Sequence, residues 1–200
     1  MSDPKVLLAM HKKGDTKAIT ELIESYKQEL YDLCFRLSFN EHDADDLFQQ
    51  TWLKIIKNPH KFVGNSFRNW LYTICINAHK DKCRKQARMR KNGVVEFKHN
   101  NDKNIAMSLV TSNISAEDKV QENFINTKLL SLVNKLPSKQ KSVIVLYYFQ
   151  DFSVRRIGRI LGIPDGTVKS RLNTTRKKLH SQMLQVIKEY SEEEKINAKY

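Results

Sequence analysis

The stretch that decides the fold is residues 163–176, which reads Ile-Pro-Asp-Gly-Thr-Val-Lys-Ser-Arg-Leu-Asn-Thr-Thr-Arg. It begins as a tight turn and continues as a helix, because Val168 and Leu172 recur at helical spacing and start one buried stripe. Upstream, Ser153 can cap a short helix, and Gly162 can reverse the chain before the second helix begins. Two short helices joined by such a turn predict a helix-turn-helix.

The polar face of the second helix carries side chains that suit DNA. Hydroxyl, amide, ammonium and guanidinium groups can reach phosphates and base edges in a major groove. An ordinary amphipathic helix with a solvated basic face is the alternative. The candidate DNA-binding residues are Thr167, Lys169, Ser170, Arg171, Asn173 and Arg176.

Composition favours a polyanionic partner. The 200 residues carry a formal net charge of +13, and Lys and Arg are concentrated in residues 1–93 and 125–190, on either side of an acidic spacer. Such a field attracts nucleic acid, although membrane surfaces and acidic proteins would also be attracted.

Targeting signals and cysteine usage indicate a cytoplasmic protein. No apolar run approaches the roughly 20 residues of a membrane span, and the N-terminus lacks the apolar core of a secretory signal. The three cysteines are an odd number without CxxC spacing, which favours free thiols in a reducing compartment.

Helical periodicity dominates both basic blocks, so the sequence predicts an all-α protein with two helical domains. The first domain spans residues 1–93, and a flexible linker rich in Asn, Lys and Ser follows over 94–113. The second domain spans 114–190 and contains the helix-turn-helix, with one helix expected over 139–149. A charged tail, 191–200, is expected to be disordered at its end.

The linker length has a mechanistic consequence. About 20 flexible residues reach at most about 65 Å at full stretch, whereas two turns of DNA cover roughly 70 Å. The two domains could therefore address sites almost two turns apart only with an extended linker and a shared scaffold.

Several motifs, in order along the chain, resemble one family, the bacterial RNA polymerase sigma factors of the extracytoplasmic-function (ECF) type. The resemblance covers about 160 residues and leaves out the linker and the tail. The motifs are Tyr31-Asp32-Leu33, the acidic run DADDLFQQTW at 43–52, SFRNWLYTICIN at 66–77, Leu136-Pro137, and LGIPDGTVKSR at 161–171.

The resemblance implies a docking site for core RNA polymerase on the acidic helix. In such sigma factors this helix contacts the largest polymerase subunit, which places Asp46, Gln49 and Gln50 at the interface. Carboxylate and amide groups one turn apart suit a basic partner helix. The family usually has Glu at the position of Gln50. The alternative is that the acidic run only stabilises a helix N-terminus.

The resemblance also implies that the helix starting near Ser66 reads the unpaired bases of the −10 promoter element. Phe67, Trp70 and Tyr72 near its start offer stacking surfaces, although the spacing of Trp70 favours the core. Asn77 falls at a base-reading position, and a solvated Asn is the alternative there. The candidate residues for single-stranded DNA are Asn77, Lys80, Lys82, Arg84 and Arg88.

The helix-turn-helix would then read the −35 element as duplex. Arg155 and Arg156 stand where the family commonly has acidic residues after the capping serine, and their charge would lie near the DNA backbone. The implied partners are core RNA polymerase, promoter DNA and an anti-sigma factor, which in this family is often membrane-anchored.

Two other functions stay open at this stage. One is a stand-alone helix-turn-helix regulator that acts without polymerase. The other is a thiol or metal sensor built on Cys75, His79 and Cys83, which share one helix face. The sequence has no Gly-rich phosphate loop, HExxH pattern or GxSxG elbow, so it predicts neither catalysis nor a cofactor.

Overall fold

The fold was described from a computed structural model of the chain. Residues 2–64, 66–92 and 116–197 are described, and side chains are described within these ranges except at 116–124 and beyond 189. The predicted linker, 94–113, lies outside the described residues.

The described residues form an all-α structure without strands, which confirms the predicted fold class. The α-helices are α1 (Pro4–Lys12), α2 (Thr16–Ser38), α3 (Glu41–Lys57), α4 (Phe67–Lys91), α5 (Ala116–Asn134), α6 (Ser138–Ile144), α7 (Val154–Leu161) and α8 (Asp165–Asn197). Within these residues, no helix is both long and apolar enough to cross a bilayer.

Side-chain caps fix where the helices α1 to α4 of the N-terminal unit begin. Asp15 accepts hydrogen bonds from two backbone N–H groups of the first turn of α2, Asn40 caps α3, and Ser66 caps α4. The chain leaves α2 through Phe39, whose φ of 54° is left-handed and whose N–H bonds to the Phe35 carbonyl. Helices α3 and α4 pack against each other and against α2.

The C-terminal unit, α5 to α8, contains the helix-turn-helix. Ser153 caps α7, and Gly162 ends it with a φ of 63°, as the sequence predicts. Gly158 has a role that the sequence did not reveal. A Cβ there would lie 2.9 Å from the Ile163 carbonyl and 2.8 Å from the Asp165 carboxylate, so only glycine lets the turn approach α7 this closely.

One local expectation needs correction. The helix expected over 139–149 is α6 followed by a π-helical turn, Val145–Phe149, which precedes a left-handed Asp151. The charged tail, 191–200, begins as helix, because α8 continues to Asn197, and the last three residues lie outside the described ones.

The two units contact each other directly. Helix α4 of the N-terminal unit packs against α6 and α7, and α2 contacts the π-helical turn. The linker argument anticipated two separate domains held by an external scaffold, and it gave no indication of this contact.

Candidate partner and nucleic-acid interfaces

Helix α3 presents a polar surface on the N-terminal unit. Gln49 and Gln50 are exposed, and the Asp46 side chain is half-buried beside them. Leu47 and Trp52 point the opposite way, into the core. Leu53, one turn beyond Gln49 and Gln50, is 51% exposed, which is unusual for a leucine on a packed helix. Periodicity alone did not single out Leu53.

Lys82 connects α4 to the acidic helix. Its ammonium lies 2.7 Å from the Asp43 carboxylate and 3.3 Å from that of Asp46, and its side chain is only 20% exposed. Burial alone would lower the pKa of Lys82, but hydrogen bonds to the two carboxylates outweigh it and raise the pKa. The structure therefore places Lys82 beside the candidate polymerase surface, away from the other basic side chains of α4.

The remaining candidates on α4 form a basic track on its outer side. Asn77, Arg84 and Arg88 are exposed. Lys80 is half-buried, and burial followed by the charge of Arg171 lowers its pKa. One end of the track thus lies beside the helix-turn-helix.

The aromatic residues at the start of α4 belong to packed clusters. Phe67 is buried, and the half-buried Trp70 ring lies 5.2 Å from that of Phe62, consistent with the core role expected for Trp70. The Tyr72 side chain is fully buried. In this structure Phe67 and Tyr72 therefore cannot serve as the stacking surfaces suggested by the sequence.

Helix α8 presents its polar face at the surface of the C-terminal unit. Val168 and Leu172 are buried, which confirms the predicted apolar stripe. Thr167 and Arg171 are half-buried, whereas the other four candidates are exposed: Lys169, Ser170, Asn173 and Arg176.

Arg176 differs from the other candidates because it also packs on its own unit. Its Nε donates a hydrogen bond of 2.6 Å to the Tyr148 hydroxyl, and its guanidinium lies 5.2 Å from the centre of the Tyr147 ring. This hydrogen bond, the largest influence, raises the pKa of Arg176. The contact holds the guanidinium at one end of the exposed face of α8.

The cysteines do not gather around a common centre. Cys75 Sγ lies 3.6 Å from Cys34 Sγ in the core between α2 and α4, whereas Cys83 Sγ lies 3.6 Å from His79 Nε2. The contact with Cys75 and burial raise the pKa of Cys34, which disfavours the reactive thiolate. Among the described residues, no three His, Cys, Asp or Glu side chains are placed to hold one metal ion.

Comparison with known proteins accounts for both units. Residues 22–89 match the family model for Sigma-70 region 2, and residues 126–179 match that for Sigma-70, region 4. The chain is 32% identical to the ECF RNA polymerase sigma factor SigW of Bacillus subtilis, over 86% of this chain and 92% of that protein. The protein belongs to the ECF family of RNA polymerase sigma factors.

Further relatives agree with this assignment. The RNA polymerase sigma factor SigV of Bacillus subtilis is 28% identical over 87% of this chain and 96% of its own length. The fold resembles that of the sigma factor RpoE from Bartonella quintana, solved in complex with the anti-sigma factor NepR. That likeness has a TM-score of 0.62 and 23% identity, and covers 86% of this chain and 99% of the other.

Family membership favours a sigma factor over a stand-alone regulator, and it identifies a transcription initiation factor rather than an enzyme. The region 2 match contains α3 and all but the last two residues of α4, and the region 4 match contains α7 and the first part of α8, which form the helix-turn-helix.

Proposed function

We propose that this ECF sigma factor divides promoter recognition among three surfaces, on α3, α4 and α8. The observation that supports this division is that each helix buries one face in a core and carries polar candidate residues on another. The factor would act in the cytoplasm, where core RNA polymerase and promoter DNA are found.

The α3 surface would bind core polymerase. Asp46, Gln49 and Gln50 supply a carboxylate and two amides within one turn, and the exposed Leu53 extends them with an apolar contact. An apolar anchor beside hydrogen-bonding groups is typical of protein interfaces. The pairing of Lys82 with Asp46 would hold the carboxylate in place for a basic partner helix.

The track on α4 would hold the unpaired strand of the −10 element. Asn77 would read a base edge, and Lys80, Arg84 and Arg88 would contact phosphates. Lys82 would act on this track indirectly, because its ion pairs with α3 fix the position of α4.

The exposed face of α8 would read the −35 element in the major groove. Lys169 and Arg171 can reach guanine acceptors, and Ser170 and Asn173 can contact adenine or phosphate. Thr167 begins this face, and the tyrosine contacts of Arg176 would direct its guanidinium toward the DNA backbone at the other end.

An anti-sigma factor would control the protein. Two of the solved structures with this fold are complexes, CnrH with the cytosolic domain of CnrY and RpoE with NepR. The half-exposed Asp46 and Gln49 surface is one that such a helical partner would bury. Pull-down from the native cell with wild-type and Asp46→Arg protein tests this, and the idea fails if no inhibitory protein is recovered with the wild type.

Reconstituted transcription tests the whole proposal. The factor with core polymerase should give specific transcripts, and permanganate should detect unpaired thymines near the start site only when both are present. Asn77→Ala should reduce this opening more than it reduces polymerase binding. Tight binding of the free protein to its target duplex, without transcripts in the presence of core, would instead indicate a stand-alone regulator.

A further inference from the structure

The C-terminal unit covers one face of the helix that is proposed to read the −10 element. Side chains at three successive positions along that face of α4 make hydrogen bonds across the boundary. Arg156 Nε donates to Asn69 Oδ1 at 2.9 Å, Tyr72 Oη donates to Gln150 Oε1 at 2.8 Å, and Thr73 Oγ1 donates to the Ile160 carbonyl at 3.2 Å.

The centre of this contact is buried and aromatic. The ring of Tyr72 stacks on that of Phe152 with centroids 5.4 Å apart, and both side chains are buried. The Arg156 guanidinium lies 3.5 Å from the centre of the Phe152 ring, on its way to Asn69. A buried stack closed by a cation–π contact and hydrogen bonds has the packing of a specific interface.

A buried lysine adds a second contact point. Lys141 on α6 is 7% exposed, and its ammonium lies 2.9 Å from Asn134 Oδ1 and 3.4 Å from the Leu37 carbonyl. Leu37 belongs to the last turn of α2, where carbonyls lack partners within the helix. The C-terminal unit therefore supplies a cation at the negative end of a helix in the N-terminal unit.

This contact brings the two proposed DNA-reading surfaces together. Lys80 on the α4 track is partly desolvated and is close enough to Arg171 on α8 for their charges to interact. Promoter elements almost two turns apart require these surfaces to be separated by tens of ångströms, since two turns cover roughly 70 Å. The arrangement cannot serve both elements at once.

We propose that this contact is a closed state of the free sigma factor, in which α7 and the Gln150–Phe152 segment cover the first turns of the α4 face that continues into the proposed −10 track at Asn77 and Lys80. Promoter opening then requires the C-terminal unit to leave α4. The inference rests on the proposed function for the identity of the occluded surface, but the closed state itself is measured on the free protein.

The charges predict an unusual salt dependence for the closed state. Lys80 on α4 is close enough to Arg171 and Lys139 of the C-terminal unit for their charges to interact, so like charges oppose closure. Salt screens such repulsion, with a Debye length that falls from about 30 Å at 0.01 M to 10 Å at 0.1 M. The closed fraction should rise with salt, whereas binding of DNA by a basic surface weakens with salt.

Single-molecule FRET measures closure in the full chain. Dyes at Val63→Cys and Lys178→Cys, both exposed positions, report on the two units in a Cys83→Ser background. Arg156→Ala should shift the equilibrium toward the open state about tenfold, because it removes a hydrogen bond from a charged donor and a cation–π contact. Arg159→Ala is the matched control, an exposed arginine on the same helix.

A double-mutant cycle makes the test independent of general destabilisation. Tyr72→Phe and Gln150→Ala should each favour the open state, but together should cost less than their sum, because they share one hydrogen bond. Lys139→Ala should act in the opposite direction and flatten the salt dependence. Additive effects, or equal FRET for wild type and Arg156→Ala, would overturn the proposal, and circular dichroism confirms that each variant is folded.

A binding assay connects closure to function. Free Arg156→Ala protein should bind a single-stranded −10 oligonucleotide about tenfold more tightly than wild type, and Arg159→Ala should not. If FRET shows the predicted shift but wild-type factor gives no transcripts with core, the proposed function fails and the closed state stands. If transcription succeeds and FRET and oligonucleotide binding do not change, the closed state fails alone.

Discussion

Helices α4 and α8 have similar composition but different surroundings. Both are long, basic and proposed to bind DNA, and both bury a stripe of apolar side chains. Helix α4 is enclosed on two sides, by α2 and α3 of its own unit and by α7 of the other. On α8, by contrast, four of the six candidate DNA-binding side chains are exposed and the other two are half-buried.

The difference indicates that the two DNA surfaces are not equally available. In the closed state the −35 surface is largely presented, whereas part of the −10 surface is covered. A factor built this way is suited to recognise duplex before it captures an unpaired strand, which is the order in which promoter DNA offers them.

The largest expected effect is on the binding of core polymerase by the α3 surface. Asp46→Arg puts a positive charge against Lys82 and against the basic partner helix proposed for α3, so core polymerase binding should fall by at least about 100-fold. Fluorescence anisotropy with labelled factor measures the affinity for core.

Two variants control for this result. Glu21→Arg reverses an exposed charge on α2 and should leave core binding unchanged. Lys82→Met breaks the ion pair without adding charge to α3. Loss of core binding in Lys82→Met as severe as in Asp46→Arg would mean that Asp46 acts only through the structure of α4.

The second effect is a loss of stability at acid pH that originates from His79 on α4. Burial, followed by the charges of Lys141 and Lys82, lowers the pKa of His79 from 6.5 to about 4. A histidine whose pKa is lower in the folded than in the unfolded protein contributes its full stability above the unfolded pKa. It loses this contribution as the pH falls from the unfolded pKa through the folded pKa, because only the unfolded protein then binds the proton. Stability should therefore fall between pH 6.5 and pH 4, by about 3 kcal/mol at most from this group.

Urea unfolding at pH 7.0, 5.5 and 4.5 checks the effect. His79→Leu should remove part of the acid loss, and His180→Gln, at an exposed position on α8, should not. Identical acid losses in wild type and His79→Leu would show that His79 does not contribute.

The sequence predicted the helices better than the contacts between the units. Caps at Ser66 and Ser153 and the left-handed Gly162 are local, so the positions of α4, α7 and the turn before α8 could be predicted from neighbouring residues. The bond between Asn69 and Arg156 joins residues 87 positions apart, and no periodicity carries that information.

Candidate site residues show the same limit. Every basic residue after Ala78 looked equivalent in the sequence, because a run of Lys and Arg reveals charge but not which partner each side chain finds. The structure separates Lys82, which pairs with Asp43 and Asp46, from Arg84 and Arg88, which are exposed.

The third effect tests base reading by α8. Arg171→Ala should cost about 1–3 kcal/mol in binding to the preferred −35 element and relax preference at one or two positions. Selection from a randomised −35 library measures the sequence preference. The holoenzyme is used, because binding to core polymerase would remove the closed state of the free factor. An unchanged preferred sequence would reassign Arg171 to phosphate contact.

The smallest effect distinguishes the role of Lys82 from that of Arg84 and Arg88 on α4. Arg84→Ala should weaken DNA binding by the holoenzyme for all sequences and lower the salt slope by about one unit, as expected for one phosphate contact, and Arg88→Ala should do the same. Lys82→Met should leave the slope nearly unchanged but reduce unfolding free energy by about 1–2 kcal/mol, because it leaves two carboxylates without their cation. Salt titration and urea unfolding of the same three proteins distinguish these roles. If Lys82→Met lowers the slope as much as Arg84→Ala, Lys82 leaves Asp43 and Asp46 when DNA binds, and the basic track of α4 extends to the edge of the α3 surface.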